Sequence, residues 1–195
     1  MSASPKPLNR LRQLWREGRP TFGAIATIPS VQTVQIMANC GLDWIIVDLE
    51  HGPIDLTSAH AMIVATSGTP CTPLARIAAN EPHLAKAPMD IGALGINFPM
   101  ISSRADAEKA VRSVRYPPRG ERLWGPFHAP FRWGVSMVDY MATADDDMIC
   151  TVCTLGMVAM APKVGRPSRQ SWRRRLSGLG EAGISRKLPA KMAPC

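Results

Sequence analysis

The sequence has no stretch of the ~18 consecutive uncharged apolar residues that a membrane span needs. Its opening, Met1-Ser2-Ala3-Ser4-Pro5-Lys6-Pro7, lacks the apolar core of a secretory leader. A cytoplasmic location is therefore expected. A disulfide framework is missing too. The five cysteines, Cys40, Cys71, Cys150, Cys153 and Cys195, are odd in number and widely spread, which predicts reduced thiols. Cys150 and Cys153 have the spacing of a metal or redox pair, yet no second pair or nearby histidine completes a zinc site, so core packing is the reading for them. Acid is scarce at one end of the chain. From Thr154 to Cys195 there are 9 basic residues against one acid, Glu181, whereas from Met1 to Cys153 there are 14 of each sign. The net charge of +8 thus belongs to the last segment, and the rest is a neutral globular chain by composition.

What is present is organised around Leu42-Asp43-Trp44-Ile45-Ile46-Val47-Asp48-Leu49-Glu50-His51-Gly52. Three consecutive β-branched residues read as a strand buried on both faces, as in parallel sheets. Asp48, Glu50 and His51 follow at once, so a carboxylate and an imidazole arrive at the carboxyl end of a buried strand, where α/β folds place their chemistry.

Around that strand the chain alternates. Leu8 to Glu17 reads as a short amphipathic helix against one end of the core, and Phe22 to Thr27 as a first strand. A helix capped by Ser30 runs to about Asn39, and another, capped by Asp55 or Thr57, from Leu56 to Thr66. Thr72 to Ile77 is a third strand with Arg76 at its carboxyl end. Glu81 to Met89 is a helix with Pro82 in its first turn and a local break at Pro88. Gly95 to Ile101 is a fourth strand, and Ser102 or Ser103 begins a helix from Arg104 to Val114. Arg115 to Arg122 is a Pro- and Gly-rich loop, Trp133 to Ala144 a helix, Asp145 to Asp147 a turn, and Met148 to Val152 a fifth strand. Such βα units, roughly 25 to 30 residues each, imply parallel strands with right-handed crossovers. Five fit before Cys153, against the eight units and about 250 residues of a closed barrel, so the choice is an open five-strand sheet or the front part of a barrel.

The residues resemble the HpcH/HpaI aldolase family, metal-dependent pyruvate aldolases related to the citrate lyase β-subunit. The resemblance rests on Gly41-Leu42-Asp43-Trp44 with Asp48-Leu49-Glu50-His51-Gly52, Leu74-Ala75-Arg76-Ile77, Met89-Asp90-Ile91-Gly92-Ala93, Phe98-Pro99-Met100, and Arg115-Tyr116-Pro117-Pro118-Arg119-Gly120 with Arg122, in the family's order. It implies a (β/α)8 TIM barrel of which about five units are present. It also implies reversible aldol cleavage of 4-hydroxy-2-keto or 2-keto-3-deoxy acids to pyruvate and an aldehyde. Arg76 matches the family's arginine for the enolate oxygen. His51 matches the base for the substrate's 4-hydroxyl, Asp48 the partner that orients that ring, and Asp90 an aspartate near the pocket. Glu50 belongs to the motif without an assigned role. Arg119 and Arg122 either bind a substrate carboxylate or serve their own loop. His60, His83 and His128 read as surface or packing residues.

The family also implies a divalent metal, Mg2+, Mn2+ or Co2+, held by a glutamate just after the next strand and an aspartate beyond it. Here Met148-Ile149-Cys150-Thr151-Val152 runs on into Cys153-Thr154-Leu155-Gly156-Met157, so no metal ligand is assigned. The expected division is an N-terminal helix (1–20), a partial aldolase domain (21–153) and a basic, disordered tail (154–195). The match and the charge balance change together, which suggests a departure of reading frame near Val152 to Leu155; an acidic segment with the missing glutamate in another frame of the gene would support this. The partners expected are a small keto acid and an aldehyde, with homo-oligomers as in the family and neither nucleic acid nor membrane. Two alternatives stand beside this: an acyl-CoA lyase of the citrate lyase branch, and an inactive fragment whose basic tail binds anions.

Overall fold

The computed structural model describes residues 9–154, and the expected disordered tail lies outside them. The chain runs α1 (Arg10–Arg16), β1 (Gly23–Ala26), α2 (Val31–Asn39), β2 (Trp44–Asp48), α3 (Leu56–Val64), β3 (Thr72–Arg76), α4 (Pro82–Asp90), β4 (Gly95–Phe98), α5 (Arg104–Ser113), α6 (Ala129–Trp133), α7 (Met137–Asp147) and β5 (Ile149–Val152). Helix starts follow local side-chain chemistry. Ser30 accepts from the Thr33 amide at 3.1 Å and Asp55 from that of Ser58 at 2.7 Å, while Ser103 and Asp106 form a reciprocal capping box.

All strands are parallel, and their order in the sheet is their order in the chain, β1-β2-β3-β4-β5. A doubly wound sheet reverses direction at a switch point, whereas a barrel winds one way. The sheet is therefore of barrel type. Side chains alternate across it. Ile45, Val47, Ala75, Ile96 and Phe98 face the main core with Val34, Met62, Ile63 and Met89 from the helices. Ile46, Leu74 and Ile149 face the other way and pack with Leu11 of α1.

Helix α1 closes the amino end of that inner face. Asn9 is fully buried, and its amide nitrogen donates to the carbonyls of Leu94 at 3.0 Å and Asp147 at 2.7 Å. This ties the start of the helix to the entries of β4 and β5.

Three expectations are corrected. The helix read from Trp133 to Ala144 begins only at Met137, as α7: α6 ends at Trp133, where Gly134 takes a left-handed φ of 64°, and Ser136 caps the new start by accepting from Asp139 N. The aspartate run read as a turn is helical to Asp147. Tertiary bonds take up its charge: Asp145 accepts from the Tyr116 amide at 2.9 Å and Asp147 from the Asn9 amide at 3.2 Å. Helix α4 also continues through Pro88 to Asp90.

Candidate active site

The inner face carries one polar row. Asp48 ends β2 beside Arg76 of β3, Arg76 is beside Asn97 of β4, and Asn97 is beside Thr151 of β5. Parallel register sets these four residues side by side at the carboxyl ends of adjacent strands, all of the parity that faces inward.

Asp48 has no solvent exposure. Its Oδ1 accepts from Arg76 Nε at 2.8 Å and its Oδ2 from Arg76 Nη2 at 2.5 Å, a bidentate fork. Oδ1 also accepts from the amides of Glu50 at 3.1 Å and His51 at 3.3 Å, so the carboxylate shapes the turn that follows its own strand. Burial works against its ionisation. The Arg76 hydrogen bonds, those amides and the guanidinium charge outweigh burial and hold the carboxyl below its ordinary range. Gly52 completes the turn, since a Cβ there would stand 2.6 Å from Asp48 O and 2.8 Å from Thr27 O.

Glu50 and His51 come next. Glu50 Oε2 lies 3.3 Å from Arg76 Nε and 3.5 Å from His51 Nε2. The ring of His51 thus meets Glu50, while both oxygens of Asp48 are engaged by Arg76 and the backbone. Glu50 is the carboxylate the structure sets beside the imidazole, and the sequence offered no role for it. The His51 side chain is 67% exposed, so it is open to a ligand.

Asn97 and Thr151 were not singled out in the sequence. Asn97 Nδ2 donates to Thr151 Oγ1 at 2.9 Å, and Cys153 Sγ lies 3.4 Å from Asn97 Oδ1. The signal available was period two: Gly95 and Asn97, like Ile149 and Thr151, alternate with residues of the main core. Cys150 packs against that core, and burial pushes its thiol up to about 11; it and Cys153 are free thiols.

The other expected residues gather elsewhere. Helix α4 runs back from the carboxyl ends of the strands, so Asp90, its last residue, lies toward their amino ends. There Asp90 Oδ1 accepts from Arg122 Nη2 at 3.0 Å. Burial, opposed by Arg122 and Lys86, raises the Asp90 carboxyl. The Arg122 guanidinium is fully buried, sits 4.5 Å from the Tyr116 ring centre and donates to Tyr140 Oη at 3.1 Å. Arg119 pairs with Asp146 at 3.2 Å. Gly120 is needed where the loop folds back on α5, because a Cβ would stand 2.3 Å from Arg112 O. Of the other histidines, His60 and His128 meet with ring centres 5.4 Å apart, and His83 is exposed.

A hard divalent cation wants several oxygen ligands, carboxylates foremost. The row does not offer them: Asp48 is committed to Arg76, Glu50 to Arg76 and His51, and Asn97 and Thr151 to each other. Among the described residues, no group of three or more His, Cys, Asp or Glu could hold a metal ion. The described residues therefore do not fit the expected metal.

Comparison with known proteins gives the family. Residues 28–162 match the model of the HpcH/HpaI aldolase/citrate lyase family, and the chain belongs to it. It is 35% identical over 147 residues to a hydroxypyruvate/pyruvate aldolase of Paraburkholderia phytofirmans, covering 75% of this chain and 55% of that protein. A 2-dehydro-3,6-dideoxy-6-sulfogluconate aldolase of Pseudomonas putida is 33% identical over 137 residues, with 70% of this chain and 53% of that one covered. The crystal structure of a family member from Burkholderia cenocepacia superposes with a TM-score of 0.67 at 32% identity, over 74% of this chain and 58% of that one. The chain spans about half the length of the curated relatives it matches.

Proposed function

We propose that the described sheet is the acid–base and enolate half of a carbon–carbon lyase that cleaves a 4-hydroxy-2-keto acid or 2-keto-3-deoxy acid to pyruvate and an aldehyde. The observation that carries this reading is the Asp48–Arg76 fork set beside the exposed His51 at the carboxyl ends of β2 and β3. His51 takes the proton of the 4-hydroxyl, the C3–C4 bond breaks as the aldehyde forms, and the electron pair passes to the C2 oxygen as an enolate. Protonation at C3 then gives pyruvate.

Arg76 meets the enolate oxygen. Asp48 holds its Nε and Nη2 and so fixes the plane of the guanidinium, which leaves Nη1 for the oxyanion without reorganisation. Glu50 stabilises the imidazolium that forms on His51. The names of the relatives support aldol chemistry, and the substrate within that class is part of this proposal. The family's divalent metal would need ligands from outside the described residues, and no step here is routed through it.

The test is pyruvate release from a 4-hydroxy-2-keto acid by the purified chain, with Mg2+, Mn2+, Co2+ or chelator, beside His51→Ala and Arg76→Ala. Release that both substitutions abolish is the expected outcome. Release unaffected by either would remove these residues from the mechanism, and a soluble protein with no release would restrict the activity to the longer relatives.

A further inference from the structure

Two guanidinium groups share one carbonyl oxygen at the amino end of β5. Arg12 Nη1, from α1, donates to Met148 O at 3.0 Å, and Arg115 Nη1, just past α5, donates to the same oxygen at 3.2 Å. Beside them is a cleft of about 460 Å3 lined by these two arginines, Arg16, Trp15, Val111, Ile149 and Cys150. The site is distinct from the polar row, which lies at the opposite ends of the strands.

Among the described residues, no direct ion pair compensates its charge. The ion pairs among the described residues include none of Arg12, Arg16 and Arg115. Burial works against the charge on Arg115, Asp145 favours it, and Arg12 and Arg119 oppose it. Asp145 itself already accepts from the Tyr116 amide and lies 3.7 Å from Arg119. Three like charges around one half-buried space repel one another, and a bound anion would reverse that. The segment from Thr154 to Cys195, with 9 basic residues and one acid, has the wrong sign to supply it.

The rest of the lining is apolar or flat. Ile149 is buried and Val111 half exposed, and the Trp15 indole is steadied by donating from Nε1 to Thr21 Oγ1 at 3.0 Å. We propose that this cleft binds a small organic dianion, a phosphate monoester or a dicarboxylate, with its oxygens on Arg12, Arg16 and Arg115 and its carbon body against Trp15, Val111 and Ile149. Guanidinium forks suit both oxyanions, since each offers paired oxygens at matching separation.

Calorimetric titration of the full chain with phenyl phosphate, inorganic phosphate and succinate tests this. The expected result is saturable one-site binding of phenyl phosphate or succinate, with phenyl phosphate tighter than inorganic phosphate because only the former has a body for the apolar wall. Which of the two organic ligands binds tighter identifies the oxyanion. Arg16→Gln and Arg115→Gln should each weaken binding by about tenfold, the scale of one charge-assisted hydrogen bond. Arg104→Gln, on a side chain 92% exposed and paired with Glu108, should change nothing. Arg16 is exposed and ends its helix, so its variant decides the matter even if the half-buried Arg115 proves necessary for folding. Absence of saturable binding, or binding that survives Arg16→Gln undiminished, would overturn the proposal; the second outcome would put the anion on other basic residues.

Discussion

Removing Arg76 would leave a carboxylate with no solvent exposure facing an empty partner position. A buried charge stripped of its partner costs about 3–5 kcal/mol. Arg76→Ala should therefore lower both activity and the free energy of unfolding in urea by that order, whereas His51→Ala, on an exposed ring, should affect activity alone. Equal urea midpoints for Arg76→Ala and the parent chain would contradict the buried-pair account. Acid gives a second handle on the same pair. Although burial opposes its ionisation, Asp48 is held below its ordinary value of 3.8 by Arg76 and two amides, so the native state binds fewer protons than the unfolded chain at low pH. Its contribution is then complete above that ordinary value and lost as pH falls through the lower native one. Unfolding followed from pH 6 downward should show this loss in the parent and not in Asp48→Asn. Parallel curves would argue against it.

At the scale of elements, α1 and the loop after α5 are held by few contacts of high value. Asn9 is buried and bonds both β4 and β5 entries, so Asn9→Ala leaves two carbonyls without that donor. A loss of about 1–3 kcal/mol is expected, read by thermal or urea unfolding, with α1 detaching first in hydrogen exchange. The loop from Arg115 to Arg122 returns along α5 through Glu121 N to Arg112 O at 2.9 Å and Arg122 N to Arg115 O at 2.8 Å. Gly120 lies at the point of closest approach, where a methyl group cannot enter without backbone movement. Gly120→Ala should cost about 1–3 kcal/mol, as overpacking does, and loosen the Arg122–Asp90 pair. An unchanged melting temperature would show that the loop can yield.

For the whole molecule, the decisive feature is the sheet's two ends. Among the described residues, β1 and β5 each pair on one side only. Phe22 is 71% exposed and Ile28 63% exposed beside β1, with Ile25 within it at 46%. Unpaired edges with apolar side chains recruit further strands. Sedimentation velocity should show self-association that grows with protein concentration and is reduced by Ile25→Lys. A single monomeric species throughout the range would refute this.

Much of this was legible in the chain itself. Ile45-Ile46-Val47 and the alternation of βα units determined a parallel sheet, because buried strands and crossover helices each leave a local apolar pattern. The motifs around Asp48, His51 and Arg76 determined the family, and they pointed to the carboxyl end of the sheet as the place of the proposed chemistry. The meeting of Arg76 with Asp48, and of His51 with Glu50, was decided by tertiary structure, since strand register and the turn that Asp48 itself shapes choose among nearby carboxylates. The same holds for Asn97 and Thr151, unremarkable in sequence and placed in the row by register. Asp145 to Asp147 look like a turn locally and are helical because Tyr116 and Asn9, distant in the chain, bind their carboxylates. Period and motif are local properties of a sequence, whereas partner choice among charged groups depends on three-dimensional placement.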